Sequence, residues 1–465
     1  MLAKITVNIA AAIREESFWH KMWNVLSSPV ALGLYTILLL AGVIVLVGMV
    51  IAGERDRTDP TVIQECIEKL NELNNNPERF LPHVIAPAAN NGGAYGDSEE
   101  DANGERAPRF YMLSTTDEKM EYWVAPVYDE KIRFDELCER FRNFCAGRLK
   151  LYYDIADIRR FIASLTVTHL IVMQGMSGTG KTSLAYAFGE FLQNQSTIVP
   201  IQPMWKERTD LIGYYNEFTK RFNETVLLQK MYEANYNEEI YITVLDEMNI
   251  ARVEYYFAEF LSLLEIPDPN KRYLDVVSDE WENDPKKLRN GQIKLPMNMW
   301  FMGTANNDDS TFAISDKVYD RAMVMNLDRK CEEFEAESAE PIKISLGHWE
   351  RLAKEAREDY ELTDRNERRI RKLDEYLIEH FRITFGNRIM KQIRGYVPVC
   401  IACGGEELGA IDDILSKKVL RKLEAQNPVY VKSMADGLCN YLDELFGTDK
   451  MPLCKEYLHR LERNA

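Results

Sequence analysis

An α/β domain with a parallel sheet and flanking helices, followed by a helical domain and preceded by one N-terminal transmembrane helix, is predicted by three observations. Apolar runs of strand length end in glycine-rich or polar loops at 169–174, 239–245 and 299–303, and helical periodicity fills the intervals. Beyond residue 345 the apolar residues recur at helical spacing, with Ile370, Leu373, Leu377 and Phe381 on one stripe. Residues 29–52 include no charged side chain. A chain of 465 residues exceeds one compact core, and the expected division is 1–28, 29–52, 53–108, 109–344 and 345–465.

In chain order, residues 1–28 put Phe18, Trp19 and Trp23 close to the membrane edge, where amphipathic rings are favoured, so an interfacial segment is expected. A helix over 29–52 would be ~36 Å long, enough to cross a ~30 Å hydrocarbon layer with some tilt. A cleaved signal peptide fits less well, because its apolar stretch is shorter and no Ala-x-Ala-like site follows Ala52. Arg14 and Lys21 precede the helix while Arg55, Arg57 and Lys69 follow it, which hardly orients it. Residues 60–73 predict a short helix. The polar run 86–108, with Asp97, Glu99, Glu100 and Asp101, predicts a flexible linker. Order returns near Phe110, and Phe134, Leu137, Phe141 and Phe144 fit one helical face.

The run 169–174 leads into Gly-Met-Ser-Gly-Thr-Gly-Lys-Thr at 175–182 and then into an amphipathic helix bearing Leu184, Phe188 and Phe191. G-x-x-x-x-G-K-T between a strand and a helix is a P-loop, whose backbone N–H groups wrap phosphates at a helix N-terminus. The chain is therefore expected to be an α/β P-loop NTPase. The candidate nucleotide-binding residues are Gly175, Ser177, Gly178, Thr179, Gly180, Lys181, Thr182 and Ser183. Lys181 would reach the outer phosphates, and Thr182 would ligate Mg2+. The second run ends in Asp246 and Glu247, carboxylates suited to holding a water on that ion and to polarising the attacking water, respectively. The third run leads to Asn306, a candidate partner of Glu247 in holding that water. Arg321, just before a strand-like run at 323–326, could project onto the γ-phosphate of the next subunit.

An insertion at 267–296 contains Asn290-Gly291 flanked by Lys287, Leu288, Ile293 and Leu295, a hairpin signal. Arg388 opens a later helix. The formal charge of −17 argues against a surface coated for nucleic acid. The eight cysteines predict free thiols, Cys400 and Cys403 included.

The chain resembles the McrB-like branch of AAA+ proteins over about 154–328. The blocks that carry the resemblance are the P-loop, Trp-Lys-Glu-Arg-Thr-Asp-Leu-Ile-Gly-Tyr-Tyr-Asn at 205–216, Leu-Asp-Glu-Met-Asn-Ile-Ala-Arg at 245–252, Gly-Thr-Ala-Asn at 303–306, and Asp320-Arg321. This resemblance implies an AAA+ core with a helical lid after about Ser345, from which Arg388 is a candidate to contact nucleotide, and it makes the 267–296 hairpin a candidate substrate-contacting loop. It also implies a homo-oligomeric, usually hexameric ring with nucleotide at subunit interfaces, Asn306 as sensor 1 and Arg321 as arginine finger. Two departures matter. GTP-using relatives carry Arg where Ser310 stands, which favours ATP over GTP. Restriction relatives have a DNA-reading domain where this chain has an apolar helix and a linker.

The function expected is a membrane-anchored ring ATPase that remodels an as yet unidentified protein partner. It would sit in the cell membrane, single-pass, with the ATPase domain in the cytoplasm, where the nucleotide is. The alternatives are a motor subunit driving a separate nuclease in a defence complex, and a nucleotide-gated scaffold. An intact set of Lys181, Asp246, Glu247 and Arg321 argues against the scaffold.

Overall fold

Five parallel strands form the central sheet: β1 (Leu170–Gly175), β2 (Thr197–Pro200), β5 (Tyr241–Asp246), β8 (Met299–Asn306) and β9 (Met323–Asn326), side by side in the order β2-β5-β8-β1-β9. The computed structural model of the protein describes residues 108–306 and 311–464. The interfacial segment, the transmembrane helix at 29–52 and the linker lie outside the described residues. Among the described residues no helix is long and apolar enough to cross a membrane.

Alternate residues of each strand face opposite sides of the sheet, and both sides are covered. Ile171, Met173, Ile242, Val244, Trp300 and Met302 enter one core, with α2 (Phe134–Phe144), α3 (Ile155–Leu165) and α4 (Lys181–Phe191). Leu170, Val172, Tyr241, Leu245, Phe301 and Val324 enter the other, with α6 (Val226–Ala234), α7 (Val253–Tyr256) and α8 (Ala258–Glu265). Burial on both faces is why these strands read as unbroken apolar runs. Aromatic rings dominate each core. Phe161 meets Phe188 edge-on at 5.2 Å, and Phe257 stacks on Phe260 at 4.8 Å.

The C-terminal part is all helix: α10 (Leu346–Asp359), α11 (Asp364–Phe381), α12 (Asn387–Ala402), α13 (Glu407–Ile414), α14 (Pro428–Phe446) and α15 (Pro452–Asn464). Ser345 starts it by accepting the His348 N–H at 3.0 Å, an N-cap for α10. The apolar core does not stop there. Ile370, Leu373, Leu438 and Leu458 belong to the same continuous cluster as Ile171 and Phe188, and the described residues fall in one unit. Cys400 and Cys403 are buried in that cluster as free thiols, and burial pushes the Cys400 thiol up to about 12.

Three features differ from the sequence reading. The strand from Met299 runs on to Asn306. The block at 205–216 folds into α5 (Thr209–Ile212) and a hairpin of β3 (Gly213–Asn216) with β4 (Arg221–Glu224), whose tip exposes Phe218 almost completely. Asn290 and Gly291 both adopt positive φ in a two-residue turn, with paired bonds between Arg289 and Gln292 at 3.0 Å. The strand that pairs with β7 (Gln292–Lys294) is, however, β6 (Tyr273–Asp275), not 287–288. This insertion is tied to the body. Buried Arg109 binds Asp284 at 2.6 Å and lies 4.4 Å over the Trp281 ring, while Lys287 lies 4.5 Å over the Tyr236 ring.

Candidate functional site

The parallel sheet brings the tips of β5, β8 and β1 together at its C-terminal edge, the edge at which open α/β sheets bind ligands. Gly175 pairs in register with Asn306, and Leu245, just before Asp246, pairs with Gly303. The P-loop, the two carboxylates and Asn306 are therefore neighbours although they are far apart in the chain.

The P-loop glycines serve different ends. Gly175 has φ 144°, and a Cβ there would stand 2.3 Å from the Leu327 carbonyl oxygen, so only glycine lets β1 turn so close to the end of β9. Gly178 has φ 76° and a Cβ would meet nothing, because this part of the loop faces open space. Ser177 and Gly178 are exposed there, Thr179 bonds the Met176 carbonyl at 2.9 Å, and Ser183 is half-buried in the first turn of α4. Lys181 is buried and its Nζ donates to the carbonyls of Gly175 and Met176 at 3.0 and 2.8 Å. The ammonium thus lies over the hollow of the loop, where an outer phosphate would replace those carbonyls.

Thr182 donates its hydroxyl to Asp246 Oδ1 at 2.8 Å. The same oxygen accepts the Thr304 hydroxyl at 2.9 Å, and Thr304 Oγ1 in turn accepts the Glu247 N–H at 2.9 Å. Glu247 adopts φ 52°, a left-handed conformation that glutamate seldom takes and that the buried Thr304 bond helps to hold. Thr304 lies in the block read for Asn306, but its role depends on a partner 57 residues away. Asn249 likewise holds the end of β8, donating to the Asn306 carbonyl at 2.9 Å. Asn306 itself lines a polar cavity of about 520 Å³ with Gln174, Asn249 and Asn326.

Replacing Thr304 with Val keeps its shape and removes both bonds. Leaving the Glu247 N–H without its acceptor costs about 1–3 kcal/mol, so hydrolysis should fall by about tenfold while nucleotide affinity is retained. Steady-state rates beside a binding titration check this, and an unchanged rate removes Thr304 from the site.

A second cavity, of about 420 Å³, lies between Asp154–Asp157 of the α/β part and Ser416 and Leu453 of the helical part. Tyr153, which precedes it, donates its hydroxyl to the Gly180 carbonyl at 2.9 Å and is pushed well up from a free phenol by burial. No motif in the sequence marks these residues, since they line the cavity only after α3 and α13 have packed.

Arg321 and Arg388 lie elsewhere. Arg321 precedes β9, whose Met323 is level with Ile171 near the start of β1. That is the opposite edge of the sheet from Gly175, roughly 13 Å of strand away. Arg321 donates to Glu265 Oε2 at 2.5 Å and to the Lys317 carbonyl at 2.6 Å, and Arg388 pairs with the other oxygen of Glu265. The two candidate cations are thus brought to each other, with Arg272, Arg357 and Lys391 around the same cavity, and not to the P-loop of their own chain.

Residues 170–322 match the family model of the AAA domain of the dynein-related subfamily, so the chain carries an AAA domain. Residues 341–465 match a domain of unknown function, DUF8727. No curated protein matches the chain. Among solved structures it is similar to a "putative ATPase" from Cytophaga hutchinsonii ATCC 33406, at 13% identity and a TM-score of 0.44, over 71% of this chain and 98% of that one. It is also similar to a full-length MCM homolog from Methanopyrus kandleri, at 13% identity and a TM-score of 0.35, over 64% of this chain and 63% of that one.

Proposed function

We propose that this chain is a membrane-anchored, ring-forming ATPase of the McrB-like branch, which hydrolyses ATP at interfaces between copies and uses the turnover to remodel a protein partner. The observation that carries the reading is the separation of Arg321 from the P-loop of its own chain by the length of β1. One copy cannot close the site, whereas a neighbour presenting its β9 edge to the P-loop supplies the missing cation. The hexameric number comes from the resemblance alone.

Lys181 and the loop amides bind the outer phosphates, and the cavity beside Tyr153 takes the base and ribose. Thr182 and Asp246 offer two hard oxygen donors 2.8 Å apart, which suits Mg2+, an ion that keeps several waters and binds through few protein groups. When bound, the ion neutralises charge on the phosphate oxygens. Glu247 accepts the proton of the attacking water, Asn306 helps to orient that water, and Arg321 of the neighbour stabilises the transferring phosphoryl charge. Ser310, where GTP-using relatives carry Arg, supports ATP over GTP. The uncharged stretch 29–52 supports the anchor, and the charge of −17 supports a protein substrate over nucleic acid.

The full-length chain, assayed with ATP and with GTP over a hundredfold range of protein concentration, tests this. The rate per subunit should climb steeply with concentration and be higher with ATP. A rate per subunit that is constant over the whole range overturns the ring.

A further inference from the structure

The turn that presents Arg321 is held by the helical domain. Lys418, in a π-helical turn over Leu415–Val419, is buried, and its Nζ donates to the carbonyls of Tyr319 and Ala322, the latter at 2.7 Å. Those two carbonyls bracket Asp320 and Arg321. Gln392 of α12 donates to the Asp320 carbonyl between them at 3.2 Å. Arg421 lies over the Tyr319 ring, 3.6 Å from its centroid, and pairs with Asp316, so α9 (Asp316–Tyr319) is clamped as well. On the other side the Tyr319 hydroxyl accepts from Gln174, the residue before the first P-loop glycine.

A lysine is a costly residue at this place. An ammonium taken out of water must be fully hydrogen-bonded to be tolerated. Desolvation pushes Lys418 down to about 7, with the Asp320 carboxylate opposing the fall. The charge is spent on backbone carbonyls of one four-residue helix and the turn after it, which is the turn that bears the finger.

We propose that Lys418 is a positioning residue for Arg321: it fixes the 319–322 turn from the helical domain, and so sets where the guanidinium meets the nucleotide of the neighbouring copy. This rests on the reading that Arg321 acts in trans.

Mixed full-length chains separate the two ideas. Lys181→Ala copies offer a finger but no working P-loop, and Arg321→Ala copies bind nucleotide but offer no finger. An equal mixture should recover hydrolysis that neither variant has alone, and no recovery overturns action in trans whatever Lys418 does. With recovery established, the donor is changed to Lys181→Ala/Lys418→Met, and the recovered rate should drop at least tenfold. In the reverse mixture Lys418→Met copies take nucleotide and Lys181→Ala copies give the finger, and the rate should equal that of the first mixture. Full recovery with the doubly changed donor overturns the inference. Loss in both directions overturns it too, since Lys418 is then needed for the fold of the whole chain.

Discussion

Replacing Arg321 with Ala should lower hydrolysis by about 10³-fold or more while leaving nucleotide binding intact, because an arginine supplied to a transferring phosphoryl group contributes roughly 10³–10⁵ in rate. The side chain is well placed to be spared for that role. Its guanidinium touches no P-loop residue of its own chain; it is parked on Glu265 and the Lys317 carbonyl, and its Nε is buried without a partner among the described residues. Losing an ion pair of this partly exposed kind costs the subunit about 1 kcal/mol at most, so a folded, nucleotide-binding variant is expected. Rates measured at saturating ATP, with binding followed separately, check this. A loss smaller than tenfold would exclude Arg321 as the finger.

Replacing Glu247 with Gln should be nearly as damaging by a different route. The amide has the same shape and can keep the strand-tip geometry, but it cannot take a proton from water, and that service is worth roughly 10²–10⁴. Asp246, Thr182 and Lys181 are untouched, so ATP should bind and persist unhydrolysed. Gel filtration with labelled ATP distinguishes this from simple loss of binding: the nucleotide should co-elute intact with the protein. Turnover within tenfold of the parent would mean that another group activates the water.

The parts of the site that lie along one stretch of chain were legible. The P-loop combines a doubly buried strand, three glycines and Lys181 within a few residues, and Asp246 and Glu247 follow an apolar run whose end is sharp, whereas the run before Asn306 continues as strand past the end read for it. What could not be read depends on packing between distant segments. Thr304 looks like an ordinary strand residue until β5 lies beside β8. Arg388 sits on the helix where it was expected, yet its partner Glu265 is 123 residues earlier, and only the docking of α12 aims it away from the P-loop of its own chain. The hairpin of β3 and β4 went unseen because its strands are short and half-exposed, and so lack an apolar run. The Asn290-Gly291 turn was visible, but its strand partner was not, because β6 pairs with β7 across an intervening loop and not through the turn itself.

The apolar core that runs unbroken from Phe188 to Leu458 has a mechanical meaning. Two bodies that share one close-packed interior cannot swing about a hinge without opening voids, and such interiors resist compression and transmit strain. Each copy then behaves as a single stiff lever, in which the sheet and the C-terminal helices move together. In the proposed ring, the work of turnover would then be delivered as rotation of one copy against the next and not as a swing of the helices against the sheet.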